Sequence, residues 1–252
     1  MSGTPTEPPS SAVRPTHRRS RAETILLGTV VILLVLALIL PWWTETESDT
    51  YLPGGTSSTQ SYSPITGVTG VCSSACPPFF PGPPLGPVEG TKSFSSLHLN
   101  QTANLYLAAL VLVFVALAFS ATALATSVGR PSLGPSHRRA RIQTFSLAAA
   151  LLATAIATIA LAAFQPTAFR ADTIAAFGPN TAWTASPSPE VSFWGSCSVG
   201  PANGICASGW AMSWGPDSGW YLLLGAVLAL VVIHLIRIRR LPSPAVEPSG
   251  SG

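Results

Sequence analysis

Four cysteines are the residues of this sequence best suited to chemistry, and their spacing suggests two pairs. Cys72 and Cys76 are separated by three residues, and Cys197 and Cys206 by eight. Cysteine pairs form structural disulfides, redox centres or metal sites. His98 is the one histidine in the segments that hold them, so zinc is disfavoured, and we predict neither a metal nor a cofactor. The role of the pairs depends on which side of a membrane they occupy.

The composition is that of a membrane protein. Apolar residues make up 47% of the chain and charged residues 9%, against about 25% charged in soluble domains. Four stretches reach the roughly 20 apolar residues that a helix needs to cross a bilayer, and they contain no Asp, Glu, Lys or Arg in their apolar cores. Lipid favours helices because each backbone N–H must bond within its own segment. We predict transmembrane helices at 22–43, 104–128, 144–164 and 219–238.

The remaining residues are predicted to be two tails and three loops. Residues 1–21 and 239–252 are rich in Pro, Ser, Thr and Gly, so we expect disordered tails. A short basic loop is predicted at 129–143. The long loops 44–103 and 165–218 are also rich in small residues and Pro, and we expect the first to lack regular structure.

The basic residues indicate the orientation. All but two of the 13 Lys and Arg residues flank the spans on one side, the exceptions being Lys92 and Arg170. The positive-inside rule makes that side cytoplasmic, so both termini are predicted inside the cell membrane and both long loops outside. The topology anchors that we predict are Arg18, Arg19, Arg21, Arg138, Arg139, Arg141, Arg237, Arg239 and Arg240.

This orientation places every cysteine on the oxidising side, which favours two structural disulfides. Pro201 and Ala202 suit the centre of a type I turn, and a hairpin there would put Cys197 opposite Cys206. Three connectivities are open, and we favour the local pairs Cys72–Cys76 and Cys197–Cys206.

Every Trp and Tyr falls in the long loops or at their membrane border. One group is interpreted as an interfacial belt: Trp42, Trp43, Tyr106, Trp220 and Tyr221. The Trp residues of the second loop are predicted to form an extracytoplasmic aromatic cluster around its cysteines: Trp183, Trp194, Trp210 and Trp214.

Small residues at four-residue spacing predict close helix packing within the molecule. These stripes are Ser146, Ala150, Thr154, Thr158 and Ala162 in the third span, Ala118, Thr122 and Thr126 in the second, and Gly225 and Ala229 in the fourth. Transporters usually keep charged groups at membrane depth, so transport or channel activity is a lesser alternative here.

The pattern Trp194-x-x-Cys197-x8-Cys206 resembles the claudin signature, and the four-span layout with both ends inside is similar to that of claudins. The resemblance implies that the two cysteines staple strands of an extracellular sheet, in a family that mediates cell contacts or assembles membrane partners. Claudins carry the motif between the first two spans, whereas here it lies between the last two.

A second resemblance is to bacterial quinone-linked, disulfide-oxidising membrane proteins, which also have four spans and a cysteine pair in each outer loop. Their first pair is a CxxC beside a span. Cys72 and Cys76 have a different spacing, and Lys92 is the one basic residue of that loop. The resemblance implies a thiol–disulfide oxidase as an alternative function.

The sequence thus predicts an all-α transmembrane four-helix bundle with a small disulfide-braced, partly β extracellular portion. The function that we favour is non-enzymatic: the outer loops would contact a membrane or extracellular protein, or a second copy of the chain, and organise a membrane assembly. The other predicted partner is the lipid bilayer, and no feature suggests nucleic acid.

Overall fold

The computed structural model describes residues 16–49, 56–73, 90–128, 136–178, 188–198 and 210–239. The helices of this part of the chain are α1 (Thr16–Ile39), α2 (Asn100–Val128), α3 (Ser136–Phe177) and α4 (Ser218–Ile238). All four are long and apolar enough to cross a membrane, which confirms the prediction of a multi-pass membrane protein. α2 packs most extensively against α3, and α1 against α4. Most of the predicted disordered tails lies outside the described residues.

The small-residue stripes are only partly where the sequence predicts them. Four of the five stripe residues of α3 are fully buried, namely Ser146, Ala150, Thr154 and Thr158. In α2 the prediction is wrong, because Ala118 and Thr122 are exposed. Thr122 donates a hydrogen bond of 2.8 Å to the carbonyl of Ala118, so its hydroxyl is satisfied on an exposed surface. The buried side of α2 instead includes Ala109, Val113, Ala116, Ser120 and Ala123.

A six-stranded antiparallel sheet lies at one end of the bundle, which we call the sheet end. Its strands are β1 (Trp43–Asp49), β2 (Thr56–Ser63), β3 (Gly67–Cys72), β4 (Gly90–Lys92), β5 (Gly195–Cys197) and β6 (Trp210–Pro216). Their order across the sheet is β4-β3-β2-β1-β6-β5. The segment between α1 and α2 supplies four strands, and the segment between α3 and α4 supplies two. The two predicted loops therefore form one structure.

The neighbouring strands β1 and β6 are joined closely to the helices. The amide of Gly219, at the start of α4, donates to the carbonyl of Pro41 at 2.8 Å, and the amide of Asp217 donates to that of Trp42 at 3.1 Å. A Cβ added at Gly219 would lie 2.5 Å from Cδ1 of Trp42 and 2.7 Å from two backbone carbonyl oxygens. Only glycine fits there, and the close approach holds β1 and β6 against the bundle.

The expectation of an irregular first loop is wrong. Successive side chains of a strand point to opposite faces. In β1, Thr44, Thr46 and Ser48 lie on one face, and Trp43, Glu45 and Glu47 lie on the other. Both sets contain polar residues, so the strand lacks the apolar–polar alternation by which strands are usually found.

Helix α3 is also longer than its predicted span of 144–164. It continues through Pro166 to Phe177. Proline removes one backbone hydrogen bond, and the packing of the last turns offsets this loss. The carboxylate of Asp172 accepts hydrogen bonds from the amides of Gln101 (2.8 Å) and Thr102 (2.9 Å) at the start of α2. The first part of the predicted loop 165–218 is therefore helix.

Candidate functional site: the inner face of the sheet

The face of the sheet that is turned toward the protein interior contains two glutamates. Glu45 and Glu47 are two residues apart on β1, so both side chains point to this inner face. They are 1% and 4% exposed. Trp214 of β6 is the cross-strand partner of Glu45, and Met212 is that of Glu47. On the other side, Glu47 is paired with Ser58 of β2, whose hydroxyl is also buried.

Three aromatic side chains join the inner face to the bundle. The ring centroids of Trp43 and Tyr62 are 4.9 Å apart, in an edge-to-face arrangement. Phe169 of α3 packs against both, with centroids 5.9 Å from Trp43 and 6.3 Å from Tyr62. All three side chains are almost fully buried. The turns of α3 that extend beyond the predicted span therefore form part of the wall of this site.

Residues 188–193, which we call the covering segment, lie against the same face. The indole N–H of Trp43 donates to the carbonyl of Phe193 at 2.9 Å. The indole N–H of Trp214 donates to the carbonyl of Ser192 at 3.0 Å. These two bonds satisfy the polar atoms of the buried indoles and hold the covering segment on the sheet.

The two buried glutamates form an acidic pair. Burial raises the pKa of Glu45 well above its usual value, and the neighbouring charge of Glu47 raises it further. Burial raises the pKa of Glu47 to about 7, although a hydrogen bond with Glu45 partly offsets the effect. The hydroxyl of Tyr62 donates to Oε2 of Glu45 at 3.3 Å, and burial raises the pKa of this tyrosine too. The pair can therefore retain a proton near neutral pH.

A third buried carboxyl group belongs to the covering segment. Burial raises the pKa of Glu190, whereas the nearby Thr173 and the charge of Arg170 lower it. Within the described ranges, no basic side chain contributes in this way to the pKa of Glu45 or Glu47. The described residues also contain no group of three or more His, Cys, Asp or Glu arranged to hold a metal ion.

The opposite end of the bundle, which we call the arginine end, holds a different carboxylate. Glu23 is buried in α1, within the predicted span 22–43. Nε of Arg237 donates to its Oε1 at 2.6 Å, and a second guanidinium nitrogen contacts the same oxygen. Sequence reasoning missed this ion pair, because its partners are far apart in the chain.

The predicted topology anchors that the structure describes lie at this end. Arg139 donates from Nε to the carbonyl of Thr126 at 2.7 Å, which links α3 to the end of α2. The other predicted anchors within helices are at the start of α1 (Arg18, Arg19, Arg21), the start of α3 (Arg138, Arg141) and the end of α4 (Arg237), with Arg239 just beyond. Arg240 lies outside the described residues.

The described cysteines lie in one row of the sheet. Cys72 is paired with Ser58, and Cys197 with Met212, and both of these partners are paired with Glu47. Four strand spacings of about 4.8 Å separate the cysteines by about 19 Å. The Cα atoms of a disulfide are at most about 7 Å apart. A Cys72–Cys197 bond is therefore excluded, although neither residue is a free thiol.

The predicted hairpin has the wrong register. β5 and β6 are antiparallel as expected, but Cys197 is paired with Met212. The expected partner, Cys206, lies outside the described residues, as does Cys76. The predicted turn at Pro201 also lies outside the described residues.

The structure places the tryptophans differently from the sequence interpretation. Trp42, Trp43 and Tyr106 are buried rather than interfacial, and the rings of Trp42 and Tyr106 stack at 5.5 Å. In the predicted aromatic cluster, Trp214 is buried but Trp194 is 62% exposed. The side chain of Trp210 and all of Trp183 lie outside the description. Trp194 lies on the opposite face of the sheet from Trp214, which explains why the two do not pack together.

No protein-family model matches the chain, and no curated protein matches it.

Proposed function

We propose that this chain is a non-enzymatic, multi-pass membrane protein whose sheet binds another protein and so organises a membrane assembly. The observation that carries the proposal is the exposed face of the sheet. Two separate segments of the chain combine to form this face, and hydrogen bonds at the β1–α4 junction join it to the bundle. A surface already ordered by backbone pairing loses little conformational entropy when it binds a partner.

The chemistry of the exposed face suits protein recognition. Its side chains are mostly hydroxyl groups: Thr44, Thr46, Ser48, Ser57, Thr59, Ser61, Thr69, Thr91, Ser196 and Ser213. Neighbouring hydroxyls bond to each other, at 3.3 Å for Thr46 and Thr59 and 3.1 Å for Thr69 and Thr91. Protein-binding surfaces often combine adaptable hydroxyls with a few large aromatic anchors.

Trp194 is the aromatic anchor that we propose. A Cβ added at Gly215 would lie 3.3 Å from Cβ of Trp194, so this tryptophan stands on the exposed face. Val71, on the same face, is also well exposed. Tryptophan is among the residues that contribute most to interface affinity. Burial of its ring by a partner would remove the largest exposed aromatic surface on this face.

The partner would bind the face of the sheet rather than extend it. Edge strands can pair with a strand of another chain. Here both edge strands, β4 and β5, are three residues long. So few backbone groups offer little gain from strand addition, which leaves the exposed face as the larger surface.

Several finer features belong to the same proposal. The sheet end would be extracytoplasmic in the cell membrane, with both termini inside, as the arginine distribution favours. Local disulfides Cys72–Cys76 and Cys197–Cys206 would brace the ends of β3 and β5. A claudin-like role in membrane contacts is supported by one feature, namely a sheet assembled from both long connections of a four-helix protein.

Photocrosslinking in native membranes tests the proposal. A photoreactive phenylalanine analogue at position 59 places the probe on the exposed face, and the same analogue at the exposed position 107 of α2 is the control. We expect one discrete adduct from position 59 and none of that mass from position 107. Trp194→Ala should reduce its yield about tenfold or more, whereas Tyr221→Ala, which removes an exposed aromatic from α4, should not.

The mass of the adduct identifies the partner class. Twice the mass of the chain would indicate a second copy, and another mass a different protein. Equal adducts from both positions, or a yield that does not depend on Trp194, would contradict binding through the exposed face.

A further inference from the structure

The Glu45–Glu47 pair has no role in the proposed contact, because it faces away from the exposed face. Buried charges in proteins are normally neutralised by an opposite charge or a metal. The pair is close enough for a hydrogen bond between its carboxyl groups. Among the described residues, Oε1 of Glu45 and the hydroxyl of Ser58, the cross-strand neighbour of Glu47, have no hydrogen-bond partner. Oε1 of Glu45 therefore has no donor among the described residues.

A proton is the occupant that this arrangement fits. Two ionised carboxylates cannot hydrogen-bond to each other, because an ionised carboxylate is an acceptor only. One shared proton supplies the missing donor and removes one of the two buried charges. The tight aromatic wall of Trp43, Tyr62 and Phe169 favours a neutral group on this face.

We infer that Glu45 and Glu47 form a proton-sharing pair that acts as a pH sensor: the sheet stays closed on the covering segment and α3 while the pair holds a proton, and opens when the proton is lost. This device is independent of the partner proposed for the exposed face. Its effect is that the covering segment and α3 cover the inner face less firmly once the proton is lost.

The other ionisable groups near the pair lie on β2, α2, α3, the covering segment and the residue before α4. Tyr62 of β2 is the neighbour that bonds to Glu45. Tyr106 of α2 interacts with Tyr62, and Asp217, before α4, interacts with Tyr106. On α3, Arg170 interacts with Glu190 of the covering segment, and Asp172 is bonded to the start of α2.

The direction of the effect follows from proton linkage. When the sheet opens, water surrounds Glu47 and its pKa returns toward 4.5, from about 7 in the closed state. The closed state binds more protons between these values, so closure is favoured fully below pH 4.5 and is lost as the pH rises through about 7. Over that interval, the opening equilibrium should increase by roughly 10²-fold.

Hydrogen–deuterium exchange of the full-length protein in lipid nanodiscs tests the inference. Amide protection of β1 and β6 is measured from pH 5 to pH 8 and corrected for the intrinsic exchange rate. We expect β1 protection to fall by roughly 10²-fold across this range, while protection within α2 stays constant. Glu47→Gln, which cannot titrate, should remove most of the change, and Glu45→Gln should do likewise.

Two controls make the result specific. Glu23→Gln makes the same chemical change at the arginine end and should leave the pH profile of β1 as in the wild type. Glu190→Gln tests the third buried carboxyl, and a loss of the profile in this variant alone would contradict the pair. If neither Glu45→Gln nor Glu47→Gln folds, the wild-type protein still provides the test. Protection of β1 that does not change with pH would overturn the inference. Restoration of protection at pH 8 by calcium chloride would also overturn it, because a cation would then be the occupant.

Discussion

The two ends of this protein each bury a glutamate, and they neutralise it differently. At the arginine end, Glu23 of α1 forms an ion pair with Arg237 of α4. At the sheet end, Glu45 lies beside Glu47, and no basic residue within the described ranges affects the pKa of either. The first arrangement links two helices by opposite charges. The second places two carboxyl groups side by side.

The difference shows that the neighbour of a buried carboxyl group decides whether its charged or its protonated form is favoured. A carboxylate beside a guanidinium favours its charged form, whereas one beside a second carboxylate favours a proton. The same residue type thus forms an ion pair at one end and a pair of neighbouring carboxyl groups at the other. The predictions below test this contrast, from the largest expected effect to the smallest.

The largest effect should come from the aromatic wall of the sheet end. Trp43→Ala removes a buried indole that contacts Tyr62 and Phe169 and donates to the covering segment. We expect a loss of about 3–5 kcal/mol in the free energy of unfolding, the usual cost of such a truncation. Thermal unfolding in micelles, followed by near-UV circular dichroism, measures it. Trp194→Ala, on an exposed tryptophan, should change stability by less than about 0.5 kcal/mol, and equal losses would contradict the assigned faces.

The second effect tests the arginine end. Arg237→Gln leaves Glu23 buried without its cation, and we expect a loss of about 2–3 kcal/mol near pH 7. Arg239→Gln, two residues further along and exposed, is the matched control and should cost less than about 0.5 kcal/mol. Unfolding by a denaturing detergent gives the two values. If both variants were equally stable, the ion pair would contribute nothing to this end.

The spans and the sheet also differ in how far the sequence predicts them. The four spans follow from hydrophobic length alone, which depends on local composition. The strands of the sheet do not, because Glu45, Glu47 and Ser58 occupy inward positions where a pattern search expects apolar residues. The alternation Trp43-Thr44-Glu45-Thr46-Glu47-Ser48 is a signal that could have revealed β1, since every second residue is Thr or Ser.

The positions of the candidate site residues were still harder to predict. Phe169 and Asp172 reach the sheet end because α3 continues past Pro166, a residue that usually indicates the end of a helix. The contact of Trp43 with residue 193 joins positions 150 residues apart. Contacts of this kind depend on the tertiary fold, which local patterns do not contain.

The third prediction compares a Glu→Gln substitution at each end. The two substitutions should change the free energy of unfolding in opposite directions. Above pH 7, Glu47→Gln removes a buried charge and should stabilise the protein by about 2–3 kcal/mol, whereas Glu23→Gln breaks an ion pair and should destabilise it. Well below pH 4.5 the benefit of Glu47→Gln should vanish, because Glu47 is then protonated in both states. Unfolding temperatures of both variants across this pH range provide the measurement. The same sign at both ends would remove the contrast.

The smallest effect tests whether another buried acid at the sheet end takes part in the pH response of β1. Asp172 is buried there, but its carboxylate accepts two amide hydrogen bonds from the start of α2. Asp172→Asn keeps an acceptor and should cost about 1 kcal/mol, similar to the loss of a helix cap. The cost should appear as faster hydrogen exchange at the amides of residues 101 and 102, with the pH profile of β1 unchanged.

Asp217→Asn, at the cap of α4, is the matched control. Asp217 accepts a hydrogen bond from the amide of Ser218 at 2.5 Å, and its replacement should affect α4 and not α2. A flattened β1 profile in Asp172→Asn would mean that the sensor extends beyond Glu45 and Glu47.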